Sequence, residues 1–384
     1  MSEWKKVKLG EICGRVTSGG TPKANVSSYY NPPTIPWLKT KEVNYCRITE
    51  TENYISEEGL KNSSAKLISP NSVIIAMYGQ GDTAGRVAIN KIPLATNQAC
   101  CNLTIDKSKA DYEFIYYQLC TLYDKLVSLK AGAAQPNLNA RIIKNLEIIM
   151  PPLATQHRIA TILSRYDSLI ENCQKQIKLL EEAAQRLYKE WFVDLRFPGH
   201  ENTNIVDGVP EGWTPSQLGQ LVEFKRGKTI TKKDVIDGDI PVVAGGLEPA
   251  YYCNKSNTAE RVITVSGSGA NAGFTRMYFE KVWASDCSFV DASTTPFLHF
   301  VYCFLKDNKT RIDHLQKGAA QPHVYAKDIN SLEICVSSES VLKSFEEKVS
   351  KCFDTIASLQ SQLRLLTEAR DRLLPKLMSG EITV

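Results

Sequence analysis

Two sets of loops in this sequence carry side chains able to bond phosphates and base edges. The first set holds Ser18-Gly-Gly-Thr21-Pro-Lys23, Lys39-Thr40-Lys41, Tyr78-Gly-Gln80, Asn97-Gln98 and Gln135-Pro-Asn137-Leu-Asn139. The second holds Lys225-Arg226-Gly-Lys228-Thr229, Lys232, Ser266-Gly-Ser268 with Asn271, and Gln321-Pro-His323-Val-Tyr325. Basic and hydroxyl side chains fix a duplex through its phosphates, and amides, Lys and Arg add hydrogen bonds to base edges. The interleaved glycines let backbone N–H groups approach a phosphate closely. Any one of these loops is also what an ordinary solvated turn looks like. The occurrence of the set twice is what predicts DNA contact.

Chemistry beyond binding finds no support in the residues. The histidines, His157, His200, His299, His314 and His323, are scattered without metal-ligand spacing, and no Ser or Cys nucleophile motif stands beside them. Gly227-Lys-Thr229 resembles the end of a phosphate-binding loop, but Val222 stands where its first glycine belongs. Two Gly-x-Gly-x3-Gly stretches are one residue too long for a dinucleotide fingerprint. Asn31-Pro-Pro-Thr34 is similar to the Asn-Pro-Pro-aromatic loop of amino-methyltransferases, yet Thr34 replaces the aromatic and no glycine fingerprint for S-adenosylmethionine accompanies it. A Pro-rich surface turn is expected there.

The loops belong to a chain that contains itself twice. Trp4-x4-Leu9-Gly10 returns as Trp213-x4-Leu218-Gly219, and Gly79-x-Gly81-x3-Gly85 returns as Gly267-x-Gly269-x3-Gly273. Gly132-Ala-Ala-Gln-Pro136 returns as Gly318-Ala-Ala-Gln-Pro322, and Leu146-Glu-Ile148 as Leu332-Glu-Ile334, all in the same order. The first copy is longer between its opening and its glycine block, so its extra residues fall among Thr17 to Glu58. Short β-branched runs such as Ser72-Val-Ile-Ile-Ala-Met-Tyr78 and Arg261-Val-Ile-Thr-Val265, alternating with turns, predict a mixed α/β domain in each copy. Framework glycines and prolines match while loop side chains differ, Gln80 against Ser268 and Asn137 against His323. Two like scaffolds with unlike loops suit the reading of two different half-sequences; a structural repeat without a ligand is the competing account.

Each copy is followed by a helical stretch. After Pro151-Pro152, with Thr155 as N-cap, apolar residues fall at Ile159, Leu163, Tyr166, Ile170, Cys173, Ile177, Leu180, Ala184, Leu187 and Trp191. The second stripe runs Leu342, Phe345, Val349, Cys352, Ile356, Leu359, Leu363, Leu366, Leu373 and Leu377, with Arg370 in one seam position. Alternating steps of three and four make a coiled-coil seam. At about 1.5 Å per residue, Thr155 to Phe192 is a rod of roughly 57 Å, a spacer and not a core helix. The two rods can pair antiparallel and put the copies at opposite ends, or each can pair with another chain. Pro375 should end or bend the second rod near its last turn.

With 384 residues and a hydrophobic fraction of 43%, the chain can bury ordinary cores in two or three domains. Lys and Arg number 46 against 42 Asp and Glu, a net charge of +4, so any DNA-facing charge must be local. The opening residues lack an apolar signal core, and no apolar run approaches a bilayer span. Eleven cysteines without a Cys-x-x-Cys pair read as reduced cytoplasmic thiols.

Ser18-Gly-Gly-Thr-Pro22 with Ile35-Pro-Trp-Leu38, Thr96-Asn-Gln-Ala99, the two Gly-Ala-Ala-Gln-Pro blocks and Leu373-Leu-Pro-Lys-Leu-Met-Ser-Gly-Glu-Ile382 resemble specificity subunits of type I restriction-modification systems. The resemblance covers nearly the whole chain. It implies a target-recognition domain over 1–154, a spacer helix over 155–200, a second such domain over 201–338 and a second spacer helix over 339–384. It implies a bipartite asymmetric site on double-stranded DNA, one half per domain. It also implies two methyltransferase subunits carrying S-adenosylmethionine and two translocase-nuclease subunits using ATP and Mg, with no cofactor or catalysis in this chain. The competing readings are a solitary methyltransferase built on Asn31-Pro-Pro-Thr34, and a stand-alone DNA-binding or coiled-coil adaptor protein.

Overall fold

The computed structural model describes residues 4–130, 137–231, 233, 235–318 and 322–384. The chain forms two compact units, one made of the chain up to Glu171 together with Arg364–Val384, the other of Asn172–Leu363.

In the first unit the opening strand Lys5–Lys8 pairs antiparallel with Glu147–Met150, Val7 opposite Ile148. The main sheet has the order Cys13–Ser18, Cys100–Ile105, Val73–Ala76, Val87–Asn90 and Cys46–Ile48. Val73-Ile-Ile-Ala76 is buried on both faces because strand side chains alternate. Val73 and Ile75 enter a core with Leu9, Leu103, Phe114 and Leu119, while Ile74 and Ala76 enter another with Leu38, Ala88 and Cys100. The helix Tyr112–Thr121 supplies Phe114 to the first core, and Asp111 caps it by accepting from the N–H groups of Glu113 and Phe114. A second sheet, ordered Tyr54–Ile55, Ile35–Leu38, Leu94–Thr96 and Leu67–Ile68, backs the loops of this copy.

The second unit repeats the plan. Thr214–Gln217 pairs with Glu333–Val336 as the opening strand does in the first copy. The order Lys225–Arg226, Cys287–Asp291, Val262–Ser266 and Thr275–Tyr278 reproduces the main sheet, and Tyr251–Cys253, Ile240–Val243 and Trp283–Ala284 reproduce the second. Among the described residues it has no counterpart of strand Cys46–Ile48, which lies inside the extra segment expected between Thr17 and Glu58. The glycine blocks match in backbone as well as in letters. Gly81 and Gly85 have φ of 60° and 96°, and Gly269 and Gly273 have 79° and 84°, left-handed values that glycine adopts without strain.

The central helix spans Leu153–Tyr188 and continues through a π turn, Lys189–Val193; the C-terminal helix spans Glu339–Ser379. The central helix starts before Thr155, because the Pro152 carbonyl already accepts from the N–H groups of Thr155 and Gln156. The C-terminal helix does not end at Pro375. It runs on to Ser379, where Leu377 and Met378 are buried and hold the last turn in place. In the first unit Ile159 and Leu163 share a core with Leu373, Leu377 and Met378, while Asp167 pairs with Arg370, so these helix segments run antiparallel. In the second unit Ile177, Leu180, Leu187, Tyr188 and Trp191 pack into a core with Phe345, Val349, Phe353 and Ile356.

The buried positions depart from the expected apolar stripes at two points. Asp167, not Tyr166, is the buried residue between Leu163 and Ile170, and Phe353, not Cys352, is the buried residue between Val349 and Ile356. A straight helix turns in 3.6 residues, so a 3.5-residue stripe drifts unless the pair supercoils. The helices are also more than spacers. His299 stacks on Phe353 at 4.4 Å between centroids, and Phe192 meets Phe300 at 4.7 Å, so the helices complete the core of the second copy. Ile170 is buried, and Leu363, Leu366 and Leu373 are half-buried. Among the described residues no helix is long and apolar enough to cross a membrane.

Candidate nucleic-acid interface

In the first copy the strand Cys13–Ser18 delivers Gly19 and Gly20 against the turn at Thr96–Asn97. The Gly19 N–H donates to the Cys100 carbonyl at 3.2 Å and the Gly20 N–H to the Thr96 carbonyl at 2.8 Å. A Cβ on Gly19 would collide with the carbonyl oxygens of Thr96 and Asn97, so the close approach requires glycine. The Trp37 indole N–H donates to the Gly20 carbonyl at 3.1 Å and pins the loop to the second sheet. Between these elements lies an open cleft of about 560 Å3 lined by Thr21, Ala24, Tyr30, Trp37, Lys39, Asn53, Tyr54 and Asn97.

Three of the sequence-predicted residues, Thr21, Lys39 and Asn97, therefore meet in one place, and exposed Gln98 joins them by accepting from the Thr21 hydroxyl. Lys39 Nζ sits 5.2 Å from the Trp37 ring centroid and donates to Asn53 Oδ1 at 2.9 Å. The others are placed differently. Thr40 is buried, Lys41 is paired with Glu52, and Asn139 accepts from the Ile142 N–H to cap the helix Ala140–Lys144. Ser18 ends its strand opposite Cys101, and Lys23 and Gln80 are exposed. Tyr78 and Asn137 are half-buried, and burial raises the Tyr78 hydroxyl above its ordinary range. Gln135 lies outside the described residues.

The second copy holds the same frame. The Gly227 N–H donates to the Cys287 carbonyl and the Lys228 N–H to the Ala284 carbonyl, while the Trp283 indole donates to the Lys228 carbonyl at 2.7 Å. Lys225, Arg226, Lys228 and Thr229 are all exposed along this edge. Ser266 is buried and its hydroxyl donates to the Gly245 carbonyl at 3.1 Å, so it braces the loop from within. Ser268 donates to the Asp286 carboxylate and bridges to His323, whose ring stacks parallel to that of half-exposed Tyr325 at 5.9 Å. Asn271 closes the glycine turn by accepting the Phe274 N–H. Lys232 and Gln321 lie outside the described residues, as do most of the two Gly-Ala-Ala-Gln-Pro blocks.

Sequence reasoning missed Tyr30, Asn53, Tyr54 and Asp286. Asn53 and Tyr54 stand in Thr51-Glu-Asn-Tyr54, a polar and aromatic run next to a short strand, which was the available signal. Asp286 had none, since a lone acid beside a presumed phosphate contact reads as solvated. Asn31-Pro-Pro-Thr34 forms an exposed turn in which the Thr34 N–H donates to the Ile55 carbonyl.

The two copies coincide with two stretches of the chain that match one known family. Residues 1–182 and 210–339 match the family described as the type I restriction modification DNA specificity domain. The chain belongs to that family. A curated relative, the type I restriction enzyme MjaIX specificity subunit of Methanocaldococcus jannaschii, is 29% identical over 412 residues, covering 100% of this chain and 94% of its own. The EcoR124I/EcoR124II specificity subunit of Escherichia coli is 29% identical over 198 residues, 51% of this chain and 48% of its own. The crystal structure of the S subunit of a type I restriction-modification system from M. genitalium shares the fold, with a TM-score of 0.65, 18% identity and coverage of 98% of this chain and 96% of that one. The repeated mixed α/β domains are thus paired DNA specificity domains, and the clefts and edges above are their loop faces.

Proposed function

We propose that this chain reads a bipartite, asymmetric site on double-stranded DNA, one half through each specificity domain, for partner subunits that carry out the chemistry. The observation that carries the reading is the shared frame at Gly19 and Gly227, which presents Thr21, Lys39, Asn97 and Gln98 in one copy and Lys225, Arg226 and Lys228 in the other. In this reading two methyltransferase subunits bring S-adenosylmethionine, two translocase-nuclease subunits bring ATP and Mg, and this chain has no catalytic role. The free state of all eleven cysteines supports a reducing, cytoplasmic setting.

The test is a gel shift of the chain assembled with methyltransferase subunits, on duplexes drawn from the methylated motif of the host genome and on scrambled duplexes. Specific retention together with a two-part methylated motif is expected. Equal binding to both duplexes, or methyl transfer by the chain alone, would overturn the reading.

A further inference from the structure

The two amides that line the first copy's cleft, Asn53 and Asn97, and that of Gln98 beside it, have their oxygens engaged from within the copy. Lys39 Nζ donates to Asn53 Oδ1 at 2.9 Å. An ammonium has no lone pair to offer, so the oxygen of that amide must face Lys39 and its NH2 must face away. The Thr21 hydroxyl donates to Gln98 Oε1, and the Cys100 thiol donates to Asn97 Oδ1 at 3.3 Å. Among the described residues none of the three amide nitrogens has a protein partner. The contact with the Trp37 ring steadies Lys39 without using its remaining N–H groups, and no carboxylate lines the cleft. Its charge and its amides therefore offer donors, side by side, in a space of about 560 Å3 open to solvent.

The matching ligand edge carries two adjacent acceptors. In the major groove that edge is guanine's, with O6 and N7; adenine and cytosine place an amine donor where it would oppose the Asn53 NH2, and thymine offers one acceptor beside a methyl group. We propose that Lys39 and Asn53 together read one guanine of the half-site recognised by the first copy. A phosphate shares the acceptor chemistry, and the test below separates it from a base. The inference rests on the reading of this copy as a DNA reader.

The experiment uses the full chain with its methyltransferase partner, with the motif determined by sequencing the methylated products of a random duplex pool. The wild-type motif should contain a guanine in the first copy's half, and 7-deazaguanine there, which lacks the N7 acceptor but keeps O6, should weaken binding about 3- to 10-fold, part of what a full bidentate contact contributes. Lys39→Met should relax that letter alone, Lys39→Arg should keep it, and Asn53→Asp should shift it toward adenine or cytosine, whose amines a carboxylate accepts. Unchanged thermal midpoints for the three variants would establish that the fold is intact. Retention of guanine in Lys39→Met and Asn53→Asp, an inert 7-deaza substitution, or an equal loss on every sequence, as a phosphate contact would give, overturns the proposal. A wild-type complex without any sequence preference would instead overturn the DNA-reading function itself.

Discussion

Arg370 Nη1 on the C-terminal helix lies 3.0 Å from Asp167 Oδ1 on the central helix, an ion pair beside Tyr116, Tyr117, Cys120 and Leu374 in the first unit. Burial penalises the Arg370 charge, and the hydrogen bonds and charges of Asp167 and Asp371 more than offset it, holding the guanidinium above its ordinary range. Asp167 also accepts from the Tyr117 hydroxyl at 2.5 Å and faces Arg47 at 4.0 Å. Arg47 comes from strand Cys46–Ile48, which has no counterpart among the described residues of the second copy, and it donates onward to Ser168 Oγ on the central helix at 3.2 Å. One carboxylate thus ties the extra strand, the helix Tyr112–Thr121 and both long helices together.

Removing that carboxylate leaves several groups unpaired, whereas removing Arg370 leaves Asp167 its other partners. Asp167→Ala should destabilise the chain by about 3–5 kcal/mol. Arg370→Met should cost less, about 1–3 kcal/mol, since a quarter of that side chain is in water. Urea unfolding of the two variants checks the order, and an equal or reversed order would show that Asp167 does not organise the network.

The glycine turns give a second ordering. Alanine at any of the four left-handed positions should cost about 1–2 kcal/mol for its backbone alone. A Cβ at Gly269 or Gly81 meets nothing within 4 Å, but at Gly273 it would come 2.9 Å from Ile312 Cγ2. Gly273→Ala should therefore lower the thermal midpoint more than Gly269→Ala. Equal midpoints would mean that Ile312 yields freely.

Lys225, Arg226 and Lys228 set three exposed positive charges along one edge of the second copy. Changing each to Ala should weaken DNA binding by the complex on all sequences alike. Each change should reduce the slope of log affinity against log salt by about 1 if that residue neutralises a phosphate. A slope unchanged by all three substitutions would place this edge in solvent.

Burial pushes the Cys101 and Cys287 thiols up from 9.0 to about 12, one in each copy. Below about pH 8 both are almost fully protonated whether folded or not, so they contribute almost no pH dependence there. Between pH 9 and 12 the unfolded thiols ionise while the folded ones keep their protons, so stability falls with rising pH, by up to about 1.4 kcal/mol per unit for each thiol. Unfolding midpoints measured from pH 8 to 10.5 should drop, and Cys101→Ala with Cys287→Ala should lessen the drop, the remainder coming from Cys13, Cys100, Cys120 and Cys303, which burial also raises. A decline as steep in the double variant would assign it to other groups.

Where local chemistry and periodicity agreed, the sequence was legible. The twin openings at Trp4 and Trp213 and the glycine blocks led to the paired domains, because turns that need positive φ leave their mark as glycine. The helices were legible from stripes, but Phe353 replaced Cys352 in the core because the stripe also serves the helix Leu298–Asp307, a partner that periodicity does not disclose. Asn53 was not legible as part of the cleft. It reaches Lys39 only because Ile35–Leu38 and Tyr54–Ile55 pair, a register set by tertiary contacts. Asp167 was hidden for a related reason: a buried acid is tolerable only with its partners, and those come from three separate parts of the chain.

The first unit is discontinuous in sequence, and that sets an order in time. Its core includes Leu377 and Met378, packed with residues as early as Leu9, whereas the second unit is the unbroken stretch Asn172–Leu363. A ribosome that makes this chain has synthesised every residue of the second unit before it makes the last pieces of the first. The copy begun first is the last to have all of its residues, and until then Ile159 and Leu163 lack the partners Leu373, Leu377 and Met378 that complete their core.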